Sequence, residues 1–160
     1  MSETTKTKVI HLLEEYPENK QRIALLRYEL EHPATVTSAE IIDAMTFTQS
    51  PGEGRSIGTV SDKTHNIAAN YEAAAARMNA ELMDDLVTRL FALKQMTNKL
   101  EYYVGLLPAQ EQTVIQLYYF KRITIQEIAD EMEVSVWLVR RRREEAVKHL
   151  CEMYEFVDTR

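Results

Sequence analysis

No proline or glycine interrupts the chain between residues 62 and 104. Over that span Ile67, Tyr71, Ala74, Met78, Leu82, Leu86, Leu90, Leu93, Leu100 and Val104 recur at three- and four-residue steps, with Thr97 as the one polar member. That is the period of a helix with one apolar stripe, and unbroken it would be roughly 60 Å long at ~1.5 Å per residue. One small domain cannot bury a stripe of that length. It must lie against the N-terminal helices, pair with a second copy of the chain, or bend near residues 78–84. Ser61 is a suitable N-cap, with Asp62 favourable in the first turn. Gly105 is expected to stop the helix as a C′ residue.

The sequence on either side also reads as helical. Val9, Leu12, Leu13, Tyr16, Ile23, Leu26 and Leu30 predict helix over residues 9–31, broken or kinked near Tyr16 by Pro17 and ended by Pro33. Thr37 and Glu40 have capping-box spacing and should open a short helix through Ile41, Ile42 and Met45. Residues 46–60, with Pro51, Gly52, Gly54 and Gly58, read as a loop that matches no phosphate-binding glycine motif. The expected fold class is therefore all-α. N-terminal helices and a Gly/Pro loop occupy 1–60, the long helix 61–104, and a separate helical module 105–155.

Composition narrows the setting. The chain has 160 residues, 45% of them apolar, which is enough for a packed core. No apolar run approaches the ~20 residues of a membrane span, and Glu14 and Glu15 interrupt the only apolar stretch near the start. Cys151 is the single cysteine, which leaves no internal disulfide and fits a reducing compartment. A soluble, cytoplasmic protein is expected. The net charge of −6 argues against coating nucleic acid by bulk charge. The basic residues are nevertheless clustered: Lys121, Arg122 and the arginines at 140–143 all fall in the last third.

Residues 106–150 carry the functional signal. Pro108 stands at or near the start of a helix, and Ile115, Leu117, Tyr118, Tyr119 and Phe120 form its apolar end. Thr124 should cap a short helix buried through Ile125, Ile128, Ala129 and Met132. Ala129 is small enough to let the next helix cross closely. A turn at Glu133 and Val134 follows. Ser135 then caps a second helix that faces inward through Val136, Val139, Ala146 and Leu150. Two helices in this order, the second rich in arginine, are how many small domains set a helix into the major groove of DNA.

The segment resembles region four of bacterial sigma factors. The resemblance rests on Leu107-Pro108, Glu111, Val114-Ile115, Tyr119-Phe120, Thr124, Glu127-Ile128-Ala129, Ser135, Val139 and the basic run from Arg140. It implies a helix-turn-helix that binds double-stranded DNA, with RNA polymerase a candidate partner. The pattern is broken in two places. Glu133 stands where the family's turn usually has glycine, a substitution costing about 1 kcal/mol if the site needs positive φ. Arg142 and Arg143 stand where an apolar residue is usual, so one of them must snorkel past the core edge or bend the packing. The whole chain, including the stretch 39–71, is similar to small phage or prophage transcriptional regulators of Gram-positive bacteria. A DNA-recognition subunit of a phage packaging terminase, and a polymerase-binding interaction module, are the alternatives.

Consecutive helical residues point about 100° apart, so four arginines in a row cannot share one face. Arg140 and Arg141, with Ser135, Val136 and Trp137, are the candidates for base contact. Arginine against guanine is the expected specific pairing. Arg142, Lys121, Arg122 and Thr124 are candidates for the phosphate backbone. The competing expectation is a solvated face, because Glu144 and Glu145 stand four residues after Arg140 and Arg141. The four histidines are scattered, no metal-ligand spacing or catalytic grouping is present, and neither cofactor, metal nor enzymatic activity is expected.

Overall fold

The structure, a computed structural model, describes residues 3–46 and 61–158. Seven α-helices and one π-helical turn make up these residues: α1 (Glu3–Glu14), α2 (Tyr16–Glu31), α3 (Ser38–Thr46), α4 (Ser61–Gly105), α5 (Ala109–Ile115), the π turn (Gln116–Phe120), α6 (Ile125–Glu131) and α7 (Val136–Asp158). The chain is all-α, and no strand occurs among the described residues. The break between α1 and α2 falls at Glu15, one residue before Tyr16 and two before Pro17, where a missing amide hydrogen is tolerated. The loop expected over 46–60, except for Thr46 at the end of α3, and the cap expected from the Ser61 side chain lie outside what is described. No described helix is long and apolar enough to cross a membrane.

Two compact units divide the chain: Met1–Leu25 with Phe91–Arg160, and Leu26–Leu90. In the first, the core is shared between distant parts of the sequence. Val9, Leu12 and Leu13 of α1 meet Leu100 and Val104 of α4, Ile115 and Tyr119, and Ala146, Val147, Leu150, Cys151 and Tyr154 of α7. Each fully buried aliphatic side chain here stabilises by roughly 1.5–3 kcal/mol. Tyr16 stacks on Phe120 with ring centroids 3.6 Å apart. Its hydroxyl donates to Glu101 Oε1 at 2.7 Å, beside a 3.0 Å bond from Lys20 Nζ to the same oxygen. Burial, then the Glu101 carboxylate, push the Tyr16 phenol well above its ordinary range.

In the second unit the chain between α2 and α3 is pinned by one amide. Asn79 accepts from the Val36 amide at 2.9 Å and donates to its carbonyl at 3.1 Å, so both backbone groups of Val36 are satisfied. The expected capping box opens α3: the Thr37 amide and hydroxyl donate to Glu40 Oε2 at 2.8 and 3.0 Å, and the Glu40 amide returns to Thr37 Oγ1 at 3.3 Å.

Gly105 corrects one expectation. It does not adopt positive φ and is not a left-handed C′ residue. It is the last residue of α4, and the chain leaves by tightening to i→i−3 bonds, Leu106 N–H to Tyr103 O and Leu107 N–H to Val104 O. The α4 stripe is likewise only part buried. Thr97, Leu100 and Val104 are buried, whereas Met78 and Leu82 are about half exposed, at 46% and 51%.

Candidate nucleic-acid interface

Three local devices build the two-helix module. The first is the π turn. The Lys121 amide donates to Gln116 O across five residues, which inserts an extra residue before the chain reverses. Arg122, at φ 57°, makes the reversal, and the Ile123 amide returns to Leu117 O at 3.0 Å. The second device is the capping box of α6. The Thr124 amide and hydroxyl donate to Glu127 Oε2 at 2.9 and 2.6 Å, and the Glu127 amide donates to Thr124 Oγ1 at 3.3 Å. These bonds hold the Glu127 carboxyl below its ordinary range, the hydroxyl's contribution first.

The third device is the turn between α6 and α7. Met132 closes α6 and Glu133 follows at φ 54°. The Val134 amide donates to Ala129 O at 2.9 Å and the Glu133 amide to Asp130 O at 3.3 Å, the paired bonds of a Schellman motif. Glu133 therefore occupies a left-handed position, the one at which the resemblance noted above implies glycine. Ser135 caps α7 by accepting from the Leu138 amide at 3.2 Å. Between the helices lie Val114, Leu117, Ile128, Ala129 and Val139, with Ile125, Met132 and Val136 packed on them. Ala129, 2% exposed, fits the close crossing.

The basic residues then separate by face. Trp137, Arg140 and Arg141 are exposed near the start of α7, and Trp137 is 64% exposed. The Arg141 guanidinium lies 5.5 Å from the Trp137 ring centroid, and its Nε donates to Glu145 Oε1 at 2.9 Å. Arg140 has no ion pair with Glu144 among the described residues. Arg142 is half-buried and, together with Arg141 and Glu145, borders a groove lined by Pro108, Ala109 and Glu111 at the start of α5. Arg143 is the snorkelling residue, with its guanidinium 4.8 Å from the centre of the Tyr118 ring.

Lys121 and Arg122 share the link before α6 but differ in what they touch. Lys121 is exposed. The Arg122 guanidinium donates to Glu14 O at 3.2 Å and pairs with Glu18. A backbone amide hydrogen bond, opposed by burial, and then the Arg122 charge hold Glu18 below its ordinary range. Arg122 is thus tied to the N-terminal helices, which no local spacing announces. Another polar pair escapes sequence reading as well. Glu111, nearly buried at the start of α5, lies 2.8 Å from His149 Nδ1, thirty-eight positions away. Among the described residues no group of three or more His, Cys, Asp or Glu side chains has the arrangement to hold a metal ion.

Residues 104–152 match the family described as Sigma-70, region 4, which covers less than a third of the chain. No curated protein and no solved structure matches the chain. The matched span contains α5, the π turn, α6 and about the first three quarters of α7, and on the match and the geometry together residues 104–152 are a sigma-70 region 4-like helix-turn-helix domain, a DNA-binding fold.

Proposed function

We propose that the protein is a sequence-specific, DNA-binding transcription regulator of phage or prophage type that acts at promoters. One observation carries the DNA reading: Trp137, Arg140 and Arg141 stand exposed together at the start of α7, on a two-helix module fixed by a capping box and a Schellman turn. In this reading Ser135, Trp137, Arg140 and Arg141 enter the major groove, with Val136 packed inward beneath them, and the arginines take guanine O6 and N7. Lys121, Thr124 and Arg142 approach the phosphate backbone. Arg122 does so only by exchanging its Glu18 partner. The phage-type assignment rests on the resemblance of residues 39–71.

Selection from random duplexes tests the DNA reading. The full chain should enrich a defined motif, and Arg140→Ala/Arg141→Ala should lose it. Binding that is sequence-blind in both proteins and abolished by modest salt would remove the claim of base readout.

A protein partner such as RNA polymerase is the second reading, and one observation favours it. An open apolar cavity of about 590 Å³ lies beside Leu106, Met153, Phe156 and Val157, with Phe156 73% exposed. Loss of polymerase co-purification on Phe156→Asp, with DNA selection unchanged, would assign the cavity to that role.

The long helix supports self-association. Ala74, Met78, Leu82, Leu86 and Leu90 are spaced symmetrically about Leu82. An antiparallel copy crossing there would set Met78 against Leu86, the self-matching pair a two-fold dimer requires.

A further inference from the structure

The most organised polar group on the exposed face of α7 is a ladder of three residues at four-residue steps. Trp137, Arg141 and Glu145 stack along the helix, with the Arg141 guanidinium 5.5 Å from the indole centroid and Nε donating to Glu145 Oε1 at 2.9 Å. We infer that Glu145 is a positioning residue for base readout: it holds Arg141 by Nε against Trp137, so that the terminal Nη pair is presented end-on to a guanine edge. The inference rests on the DNA reading above and specifies how one contact of that site is made.

The chemistry favours this division of labour. A guanidinium is a planar fork with five donor hydrogens. Held at Nε on one side and by a ring at its face, the side chain keeps its two Nη groups for the paired O6 and N7 acceptors of guanine. An arginine without such a brace must lose rotamer freedom on binding, and prior fixing removes that loss. Arg140, one residue earlier, has no brace of this kind among the described residues. The two exposed arginines are therefore unequal: Arg141 is pre-set, and Arg140 is adaptable.

Glu145 is also a negative charge close to a surface that meets phosphate, and this gives the inference a distinctive sign. A carboxylate with no positioning role only repels DNA, so its removal strengthens binding to every sequence alike. A positioning carboxylate does that and also sharpens one base pair. Removing it should raise affinity for random duplex while relaxing the preference at a single position.

The experiment is random-duplex selection with the full chain, comparing wild type, Arg141→Ala, Glu145→Ala and Glu145→Gln, with circular dichroism melts of each. Arg141→Ala should lose guanine preference at one position. Glu145→Ala should weaken the preference at that same position by about tenfold, with unchanged melting and stronger binding to random duplex. Glu145→Gln, which keeps an acceptor for Nε, should recover most of it. If Arg141→Ala erases a position that Glu145→Ala leaves intact, the positioning role is overturned and the DNA reading stands. If wild type enriches no motif, both fall.

Discussion

At the scale of single residues, the described chain twice places a large side chain where the backbone is left-handed. Arg122 and Glu133 both have positive φ, each at the reversal after a helix. An L-residue in that conformation costs about 1–2 kcal/mol relative to glycine. Glu133 shows no compensating side-chain partner among the described residues, whereas Arg122 is tied to Glu14 and Glu18. Glu133→Gly should accordingly stabilise the protein by about 1 kcal/mol, read as a higher denaturation midpoint in urea. The same change at Arg122 should gain less, because it also removes those contacts. Gly105 is the converse case. It is helical, and a Cβ there meets nothing within 4 Å, so Gly105→Ala should raise stability by about 0.5–1 kcal/mol.

Glu101 gives the residue scale a pH dependence. Burial works to raise its carboxyl, but hydrogen bonds from Tyr16 and Lys20, with the Lys20 charge, outweigh it and leave the group below its ordinary value. A carboxyl lower in the folded state than in the unfolded one stabilises the fold above its unfolded value, and that contribution disappears as pH falls through the folded value. Wild type should therefore lose stability on acidification below about pH 5. Glu101→Gln should be less stable than wild type at neutral pH and approach it at low pH. Paired urea titrations at the two pH values measure this, and parallel loss in both proteins would show that Glu101 contributes nothing to the slope.

At the scale of elements, short-range signals were legible and long-range ones were not. Both capping boxes follow from a Thr and a Glu three residues apart, because the bonds they form are local. The Ser135 cap, the Glu133 turn and the inward positions Ile128, Ala129, Val139, Ala146 and Leu150 follow from period and turn chemistry in the same way. The exposed positions Trp137, Arg140 and Arg141 could be read from helix phase alone. The π turn could not, since apolar residues fill every position from Leu117 to Phe120 and no period distinguishes α from π there. Nor could the Arg122–Glu18 and His149–Glu111 pairs, which join residues far apart in sequence.

The packing of α1 against α7 is the largest feature of this kind. It makes the module depend on residues at the opposite end of the sequence. Leu13 is fully buried in the core it shares with Leu150 and Cys151. Leu13→Ala should destabilise by about 2–5 kcal/mol, and amide exchange should quicken in α7 as well as in α1. A change confined to α1 would show that the helix-turn-helix holds its fold independently.

At the scale of the molecule, the question is what covers the first part of the long helix. Its apolar stripe is buried at Thr97, Leu100 and Val104 but stands half open at Met78 and Leu82. Isolated exposed apolar residues are ordinary. Met78 and Leu82 stand one turn apart on one side of the helix, and an open pair that meets its own copy under a two-fold rotation can close a dimer without any further partner. Such a dimer would carry two DNA-binding modules, and the enriched motif would then be an inverted repeat. Met78→Glu/Leu82→Glu introduces charge at the centre of the proposed crossing. Light-scattering mass should fall from dimer to monomer in that variant, and selection should return a single half-site with weaker binding. A ring-sized mass for wild type would favour the packaging-subunit alternative. A monomeric mass for both proteins would leave the open stripe to another partner and would predict a non-repeated motif from the start.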